Sequence, residues 1–204
     1  MGGELEVKTA KRNRGILGRL RSLRERGATL VEASLVFPIL ILIIMGTLEI
    51  GLAFKDYLTV SYLSREGARL GALAGDDPDA DCTILIGIGG LATQGDLARI
   101  DEIQIFKADP GTGAQGLTNT ATYTPGKDPE ICNVPSTSLD GWTINPINWS
   151  PTSREVTVGS ADELDIIGVR VIMTRNWVTG FPPFRGSSQI DEITLTRLEP
   201  QAFQ

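Results

Sequence analysis

The sequence predicts an α+β fold, in which one long N-terminal helix precedes a small antiparallel sheet. An almost uncharged apolar run covers residues 28–54, and helical periodicity continues to about residue 74. Segments with the alternation of strands come only later, at residues 100–107, 165–174 and 190–198. A helix followed by a run of strands is typical of an α+β domain. In an α/β domain with a parallel sheet, helices and strands would alternate along the chain.

The apolar run is long enough to cross a membrane. Residues 33–48 carry no charge, and residues 28–54 contain only Glu32 and Glu49. About 20 apolar residues span a bilayer, whereas the apolar part of a cleaved secretory signal has about 7–15. We therefore expect a retained membrane segment, in which Pro38 would produce a kink.

The charges are distributed unevenly along the chain. Residues 1–27 contain eight Lys and Arg against three Glu, a net charge of +5, so the remaining residues carry −11 and the whole chain −6. Basic residues beside a membrane segment stay in the cytoplasm. We expect a cytoplasmic leader at 1–27, a membrane segment at 28–54 and an extracytoplasmic domain at 55–204. Nucleic-acid binding by the leader is the alternative, and the absence of aromatic residues from it argues against that.

The second half of the long helix must pack on the domain, because 47 residues at 1.5 Å each exceed any bilayer. Gly75 and Pro78 predict the end of this helix, and a shorter helix is predicted over 79–93. A stripe at helical spacing is expected to face the sheet. Its members are Ile50, Phe54, Tyr57, Leu58, Tyr62, Leu63 and Leu70.

The predicted strands carry apolar residues at every second position, so each has one apolar face. These faces are Ile103/Ile105, Val169/Val171 and Ile193/Leu195. Residues 109–153 are rich in Gly, Pro, Thr, Ser and Asn, which predicts a long irregular insertion. Between the last two strands, an aromatic loop contains Trp177, Phe181 and Phe184.

The junction between leader and apolar run is the most specific functional signal. Gly27 ends the leader, Ala28 begins the apolar run and Glu32 is its first charge. A carboxylate inside a membrane costs about 2.5–3.5 kcal/mol and usually has a partner. If the chain is cut after Gly27, the new amine of Ala28 lies one helical turn from Glu32. An ordinary signal anchor with an isolated glutamate is the alternative interpretation.

This junction resembles the processing site of type IV prepilins and pseudopilins, in which a peptidase cuts after Gly. In those proteins the Glu at the fifth mature position pairs with the amine of a neighbouring subunit. Arg65-Glu66-Gly67-Ala68-Arg69 is similar to a segment of the TadE-like family, minor pseudopilins of the Tad tight-adherence pilus. The last strand, ending Leu198-Glu199-Pro200, resembles that family's closing strand. The resemblance extends over residues 26–75, weakens over 165–200 and is absent from 76–164.

The resemblance implies a pilin-like protein of the inner membrane, with its N-terminus in the cytoplasm and its C-terminal domain outside. It implies a prepilin peptidase, other pilin or pseudopilin subunits and the pilus assembly platform as partners. Major Flp-type pilins have an aromatic residue after the Glu, where this chain has Ala33, which favours a minor component. The other hypothesis is an uncleaved, membrane-anchored binding module that holds a partner with residues 109–153 or 177–184.

Catalysis, cofactors and metal binding have little support in the sequence. The chain has no His, and beyond the leader its Lys residues, Lys55, Lys107 and Lys127, lie in no recognisable motif. Asp77, Asp79 and Asp81 have the opening spacing of a calcium loop, but Cys82 and Ile88 stand where Gly and Glu are needed. We expect no enzyme, no cofactor and no metal site.

Two residue sets carry structural predictions. Cys82 and Cys132 follow the membrane segment, and two cysteines in an extracytoplasmic domain are expected to form a disulfide, worth on the order of 4 kcal/mol. A reactive thiol is the alternative. Gly67 in mid-helix costs about 1 kcal/mol relative to Ala, so we expect the sheet to approach closely there, with a Glu66–Arg69 ion pair on the solvent side.

Overall fold

A computed structural model describes residues 4–125, 142–145, 149–157, 164–180 and 184–200 of the chain. Within these ranges three helices precede five strands, which confirms the predicted α+β class. The helices are α1 (Glu4–Ala74), α2 (Ala80–Leu91) and α3 (Gln94–Leu97). The strands are β1 (Ile100–Ala108), β2 (Gln115–Pro125), β3 (Trp142–Asn145), β4 (Ile166–Asn176) and β5 (Ser187–Arg197).

Helix α1 begins at Glu4, within the leader, and not at Ala28 as predicted. The leader is rich in Leu, Arg, Lys and Glu, which have high helix propensity, so nothing in its sequence stops the helix before the apolar run. The end of α1 is as predicted. Gly75 has φ of 59°, the left-handed conformation of a helix C-terminus, and its N–H donates to the Gly71 carbonyl at 3.1 Å.

The chain divides into two compact units, residues 1–50 and residues 51–204. The first unit is helix throughout its described length. The second unit contains the rest of α1, the two shorter helices and the sheet. Its hydrophobic core combines side chains from α1, α2 and the strands.

The strands form one antiparallel sheet in the order β3-β2-β1-β4-β5. In its centre, Ile103 pairs with Val171 and Ile105 with Val169, and all four side chains are fully buried. Tyr123 of β2 lies opposite Ile103 on the same face. The predicted apolar face of these two central strands is therefore confirmed.

The prediction for β5 is wrong, because Ile193 and Leu195 lie on the opposite face of the sheet. They are 44% and 40% exposed, and the register places Thr194 beside Val169 and Glu192 beside Val171. The inward face of this edge strand is therefore polar, and it meets polar groups of α1. The Ser64 and Thr194 hydroxyls are 2.9 Å apart. Glu192 accepts a hydrogen bond from Tyr57, and this bond and the carboxylate's charge raise the Tyr57 pKa.

The insertion at 109–153 is not wholly irregular, since β2 and β3 lie within it. Strand β2 is rich in Thr, which is β-branched and fits a pleated, half-buried surface. Ala121 and Tyr123 alternate on its buried face. The abundance of Gly, Pro and Asn around these strands concealed this short alternation.

The buried face of α1 also differs from the predicted stripe. Tyr57, Leu58 and Tyr62 are about half exposed. Leu63 is buried and Leu70 packs against the core, as predicted. Small residues make up most of the rest of the packed face, which consists of Val60, Leu63, Ser64, Gly67, Ala68, Gly71 and Ala72. Small side chains let another element approach closely, which a search for large apolar residues does not detect.

Two glycines mark the closest contacts on this face. A Cβ on Gly67 would lie 2.9 Å from Ile88 Cδ1 and 3.1 Å from Val169 Cγ1. A Cβ on Gly71 would lie 2.6 Å from Ile167 Cδ1 and 2.9 Å from Ile84 Cδ1. The expected close approach at Gly67 is therefore confirmed, and α2 takes part in it together with β4.

Gly71→Ala should destabilise the second unit. A methyl group there overlaps Ile167 and Ile84, and overpacking costs about 1–3 kcal/mol, against which the helix propensity of Ala returns about 1 kcal/mol. Gly90→Ala is the matched control, because nothing lies within 4 Å of its Cβ position in α2. Thermal unfolding of the detergent-solubilised chain should show a lower Tm for Gly71→Ala and an equal or higher Tm for Gly90→Ala. Equal melting of Gly71→Ala and wild type would contradict the packing described.

Candidate functional site

The predicted processing junction lies inside α1. The backbone is helical through Gly27 and Ala28, and the side chain of Ala28 lies outside the described ones. Ala28 and Glu32 are four residues apart in a continuous helix, so they occupy the same face one turn apart. Peptidases act on extended chain, so cleavage after Gly27 requires the helix to open locally. Glycine makes this easier, since it is a poor helix former.

The residues after the junction form an exposed apolar surface. Large side chains from Leu30 to Phe54 are 42–72% exposed, and only 6% of the most apolar 18-residue window is buried. By length and composition, this part of α1 could cross a membrane. Glu32 is exposed on the same surface. Among side chains that the structure describes, none forms an ion pair with Glu32.

A buried group of charges lies just after the apolar run, and we call it the Asp56 cluster. Asp56 on α1 is 4% exposed and accepts two hydrogen bonds from Arg99, at 2.9 and 3.0 Å. Arg175 on β4, 2% exposed, has its Nε 3.1 Å from Asp56 Oδ2. The cluster thus joins α1 to the start of β1 and to the end of β4.

Asp96 and Lys55 complete the Asp56 cluster. Asp96 accepts a bond from Arg99 at 2.6 Å, and Lys55 Nζ lies 3.6 Å from the same carboxylate. Burial acts to raise the pKa of Asp96, but hydrogen bonds from Thr93 and Arg99 and the nearby positive charges outweigh it, so this pKa lies below its ordinary value. The hydrogen bond to Asp56 raises the pKa of Arg99. Both groups are held charged at neutral pH.

A second buried group, the Asp81 cluster, lies at the other end of the 51–74 part of α1. Asp81 of α2 pairs with Arg154 and accepts a hydrogen bond from the Tyr123 hydroxyl. Arg154 also donates to the Gly75 carbonyl at 3.4 Å and lies 4.6 Å above the Trp149 ring. Burial and the charge of Asp81 raise the pKa of Tyr123, so its hydroxyl stays protonated and donates.

The Arg65–Arg69 segment has two sides. Gly67 and Ala68 are buried against α2 and the sheet, whereas Arg65 and Arg69 are exposed. Arg69 donates to both carboxylate oxygens of Glu66, at 2.9 and 2.5 Å, as expected for residues three apart. These hydrogen bonds and the charge of Arg69 lower the pKa of Glu66. The segment thus holds a packing contact on one side and a solvated ion pair on the other.

The structure describes only one of the two cysteines of the predicted disulfide. Cys82 is buried in α2, and the described residues contain no free cysteine. Cys132 lies outside the described residues, so its pairing with Cys82 stays a prediction. Among the described residues, no group of three Cys, Asp or Glu side chains could hold a metal ion.

Sequence reasoning missed both buried clusters. The signal was present, since Asp56 precedes Val60 by one helical turn and so lies in phase with the buried face of α1. Arg175 likewise continues the alternation of Val171 and Met173 on the inward face of β4. A charge in phase with an apolar face is buried, and a buried charge needs a partner of opposite sign.

The comparisons with known proteins concern the first part of α1. Residues 27–69 match the family model described as TadE-like protein. The predicted resemblance to the TadE-like family is therefore confirmed over this segment. The match begins at Gly27, includes Glu32 and Asp56, and ends at Arg69, so it covers the junction and the close contact at Gly67. No curated protein and no solved structure matches the chain.

Asp56→Asn should strongly destabilise the second unit, residues 51–204. The change removes the carboxylate that pairs with both Arg99 and Arg175. Breaking a buried ion pair lowers the free energy of unfolding by about 3–5 kcal/mol. Asp191→Asn is the matched control, because Asp191 pairs with Arg170 at 2.5 Å in an exposed position, where such a pair is worth about 0–1 kcal/mol.

The measurement is denaturant unfolding of both variants in detergent. A large fall in the midpoint for Asp56→Asn and a small one for Asp191→Asn is the expected result. Equal effects of the two changes would mean that the Asp56 cluster does not hold the domain together.

Proposed function

We propose that this chain is a minor pseudopilin of a Tad-type adhesive pilus. In this proposal a prepilin peptidase removes residues 1–27, and the mature chain assembles with other pilin or pseudopilin subunits through packing of α1 in the membrane. The observation that carries the proposal is the TadE-like match over residues 27–69. It starts at the proposed cleavage glycine and contains the glutamate one turn beyond it.

The charge distribution supports an orientation for this protein. The leader carries +5 and the rest of the chain −11, and basic residues flanking a membrane helix remain in the cytoplasm. The N-terminus then faces the cytoplasm, where the leader is cut at the membrane surface, and the sheet domain lies outside the inner membrane. The pilus assembly platform is the expected membrane partner.

The role proposed for this chain is structural and needs no catalytic group. Cleavage after Gly27 creates an ammonium at Ala28, at the N-terminus of the shortened α1. The exposed carboxylate of Glu32 on one subunit can then compensate this charge on a neighbour. In lipid the pairing matters more than in water, because an unpaired charge there costs several kcal/mol. Ala33, which is not aromatic, supports a minor subunit over a main filament subunit.

Gly27→Val should block processing. A peptidase site fitted to glycine is crowded by a branched side chain, and valine also holds the helix closed better than glycine does. We expect full-length protein in the membrane, against a wild-type chain that is 27 residues shorter and begins at Ala28. Gly18→Val, the same exchange inside the leader, is the control and should be cut normally. Peptide mass of the N-terminus distinguishes the products.

The same measurement separates the two function hypotheses. A wild-type chain that keeps its leader in cells with an active Tad system would support the uncleaved, anchored binding module. A normally shortened Gly27→Val chain would instead refute Gly27 as the cleavage residue.

Glu32→Gln should insert but fail to assemble. Glutamine keeps the size of the side chain and removes the charge that pairs with the neighbour's amine, so insertion becomes no harder while assembly is lost. Ser34→Ala, on the same exposed segment, is the control. Membrane fractionation and co-purification with the other pilus subunits from a complemented deletion strain measure the two steps. If Glu32→Gln co-purifies with the other subunits as well as the wild-type chain does, the proposed pairing role of Glu32 is wrong.

A further inference from the structure

The described residues that flank the turn between β4 and β5 form an apolar and aromatic surface, which we call the hairpin tip: Trp177, Val178, Phe184 and Arg185. The rings of Trp177 and Phe184 are 5.1 Å apart, so the two arms of the turn contact each other. Val178 is 74% exposed, the highest value for a large apolar residue in the described chain, and Arg185 is exposed beside it. The domain core does not account for this surface.

The contacts along β4 establish where the tip lies. Ile167 packs at Gly71 and Val169 at Gly67, whereas Arg175 pairs with Asp56. Strand β4 therefore runs along α1 in the opposite direction, from the level of Gly71 to the level of Asp56. The tip follows Arg175 and so lies beyond Asp56, on the side of Lys55 and Phe54.

That level is the end of the apolar run. Residues 28–54 contain 27 residues, a helix of about 40 Å, which matches a bilayer of roughly 40–45 Å including its headgroups. Lys55 and Asp56 are the first residues after this run. If the membrane ends at residue 54, Lys55 and the hairpin tip at its level lie at the layer of lipid headgroups.

We propose that the hairpin tip inserts into the headgroup layer of the membrane that α1 crosses, as a second contact of the domain with lipid. Trp is enriched at this layer, where its ring is half apolar and its N–H is hydrated. Arg185 can reach lipid phosphates while its stem covers apolar surface. The inference rests on the proposed membrane anchoring by α1.

The Asp56 cluster holds the tip in place for this contact. The guanidinium of Arg175 lies 4.5 Å from the centre of the Trp177 ring while its Nε pairs with Asp56. The first residue of the tip is thus stacked on a side chain fixed to α1. Trp177 therefore needs little ordering when it meets the headgroup layer, so less conformational entropy is lost at this residue on contact.

The test places a nitroxide spin label on the full chain in vesicles of phosphatidylethanolamine and phosphatidylglycerol. Val178→Cys carries the label at the tip. Asp76→Cys, in the exposed turn after α1 and about 30 Å along the helix from Asp56, is the control in water. Leu42→Cys, within the apolar run, is the control in lipid. The wild-type chain treated with the same reagent shows any labelling of Cys82 and Cys132.

Collision of the label with oxygen, which dissolves in lipid, and with a water-soluble nickel chelate reports its depth. We expect the Val178 label to collide with nickel several-fold less often than the Asp76 label does. Its depth in the bilayer should lie between the depths of the Asp76 and Leu42 labels. A Val178 label as accessible to nickel as the Asp76 label would overturn the tip proposal. A Val178 label shielded from both reagents would overturn it as well, because that result indicates contact with protein.

The Leu42 label keeps the two proposals separate. If it is reached by oxygen and not by nickel, α1 crosses the membrane, and the Val178 result decides on the tip alone. If the Leu42 label is reached by nickel, the membrane anchoring itself fails, and the tip contact fails with it.

Discussion

The close approach of α1 to β4 and α2 is the contact on which the rest of the domain depends. Gly67 and Gly71 leave no room for a side chain between the helix and Val169, Ile167 or Ile84. Protein interiors are packed as densely as organic crystals, so a gap or an added methyl group at such a contact disturbs the packing of the surrounding side chains. The first part of α1 is long and apolar enough to cross a membrane. The second part of the same helix is the central element of the domain core.

The two buried clusters fix the ends of this contact. The Asp56 cluster ties the start of the packed part of α1 to β1 and β4, and the Asp81 cluster ties its end to α2, β2 and Arg154. Apolar packing is not directional and allows a sheet to slide along a helix. Paired charges with two or three fixed hydrogen bonds do not, since a shift would leave a charge buried alone. Packing thus supplies the attraction, and the clusters set the register.

The sequence predicts the parts of this structure that depend on local pattern. The helix end at Gly75 and the alternation of Ile103/Ile105 and Val169/Val171 are local signals, and these predictions are confirmed. Which side of α1 faces the sheet, and which face of β5 points inward, depend on the neighbours that each element meets. Tyr57 and Tyr62 on α1, and Ile193 on β5, are apolar enough to be expected inside, but the small residues of α1 determine which side is approached.

The same reasoning applies to the functional residues. Gly27, Ala28 and Glu32 are close in sequence, so the sequence alone indicates their relation. The partners of Asp56 lie 43 and 119 residues further along the chain, at Arg99 and Arg175. Such pairs are defined only by the fold, although a charge in phase with a buried face shows that a partner must exist.

Strand β5 ends the described sheet, and this edge limits how copies of the protein can join. Among the described strands none pairs with the outer edge of β5, and a further strand could align along such an edge. Glu192, however, faces inward on this strand, on the same side as Val171 and near Tyr57 of its own chain. An inward-pointing charge on an edge strand opposes the addition of a further strand, because that strand would bury the charge. Growth of a fibre by continuing the sheet from molecule to molecule is therefore disfavoured.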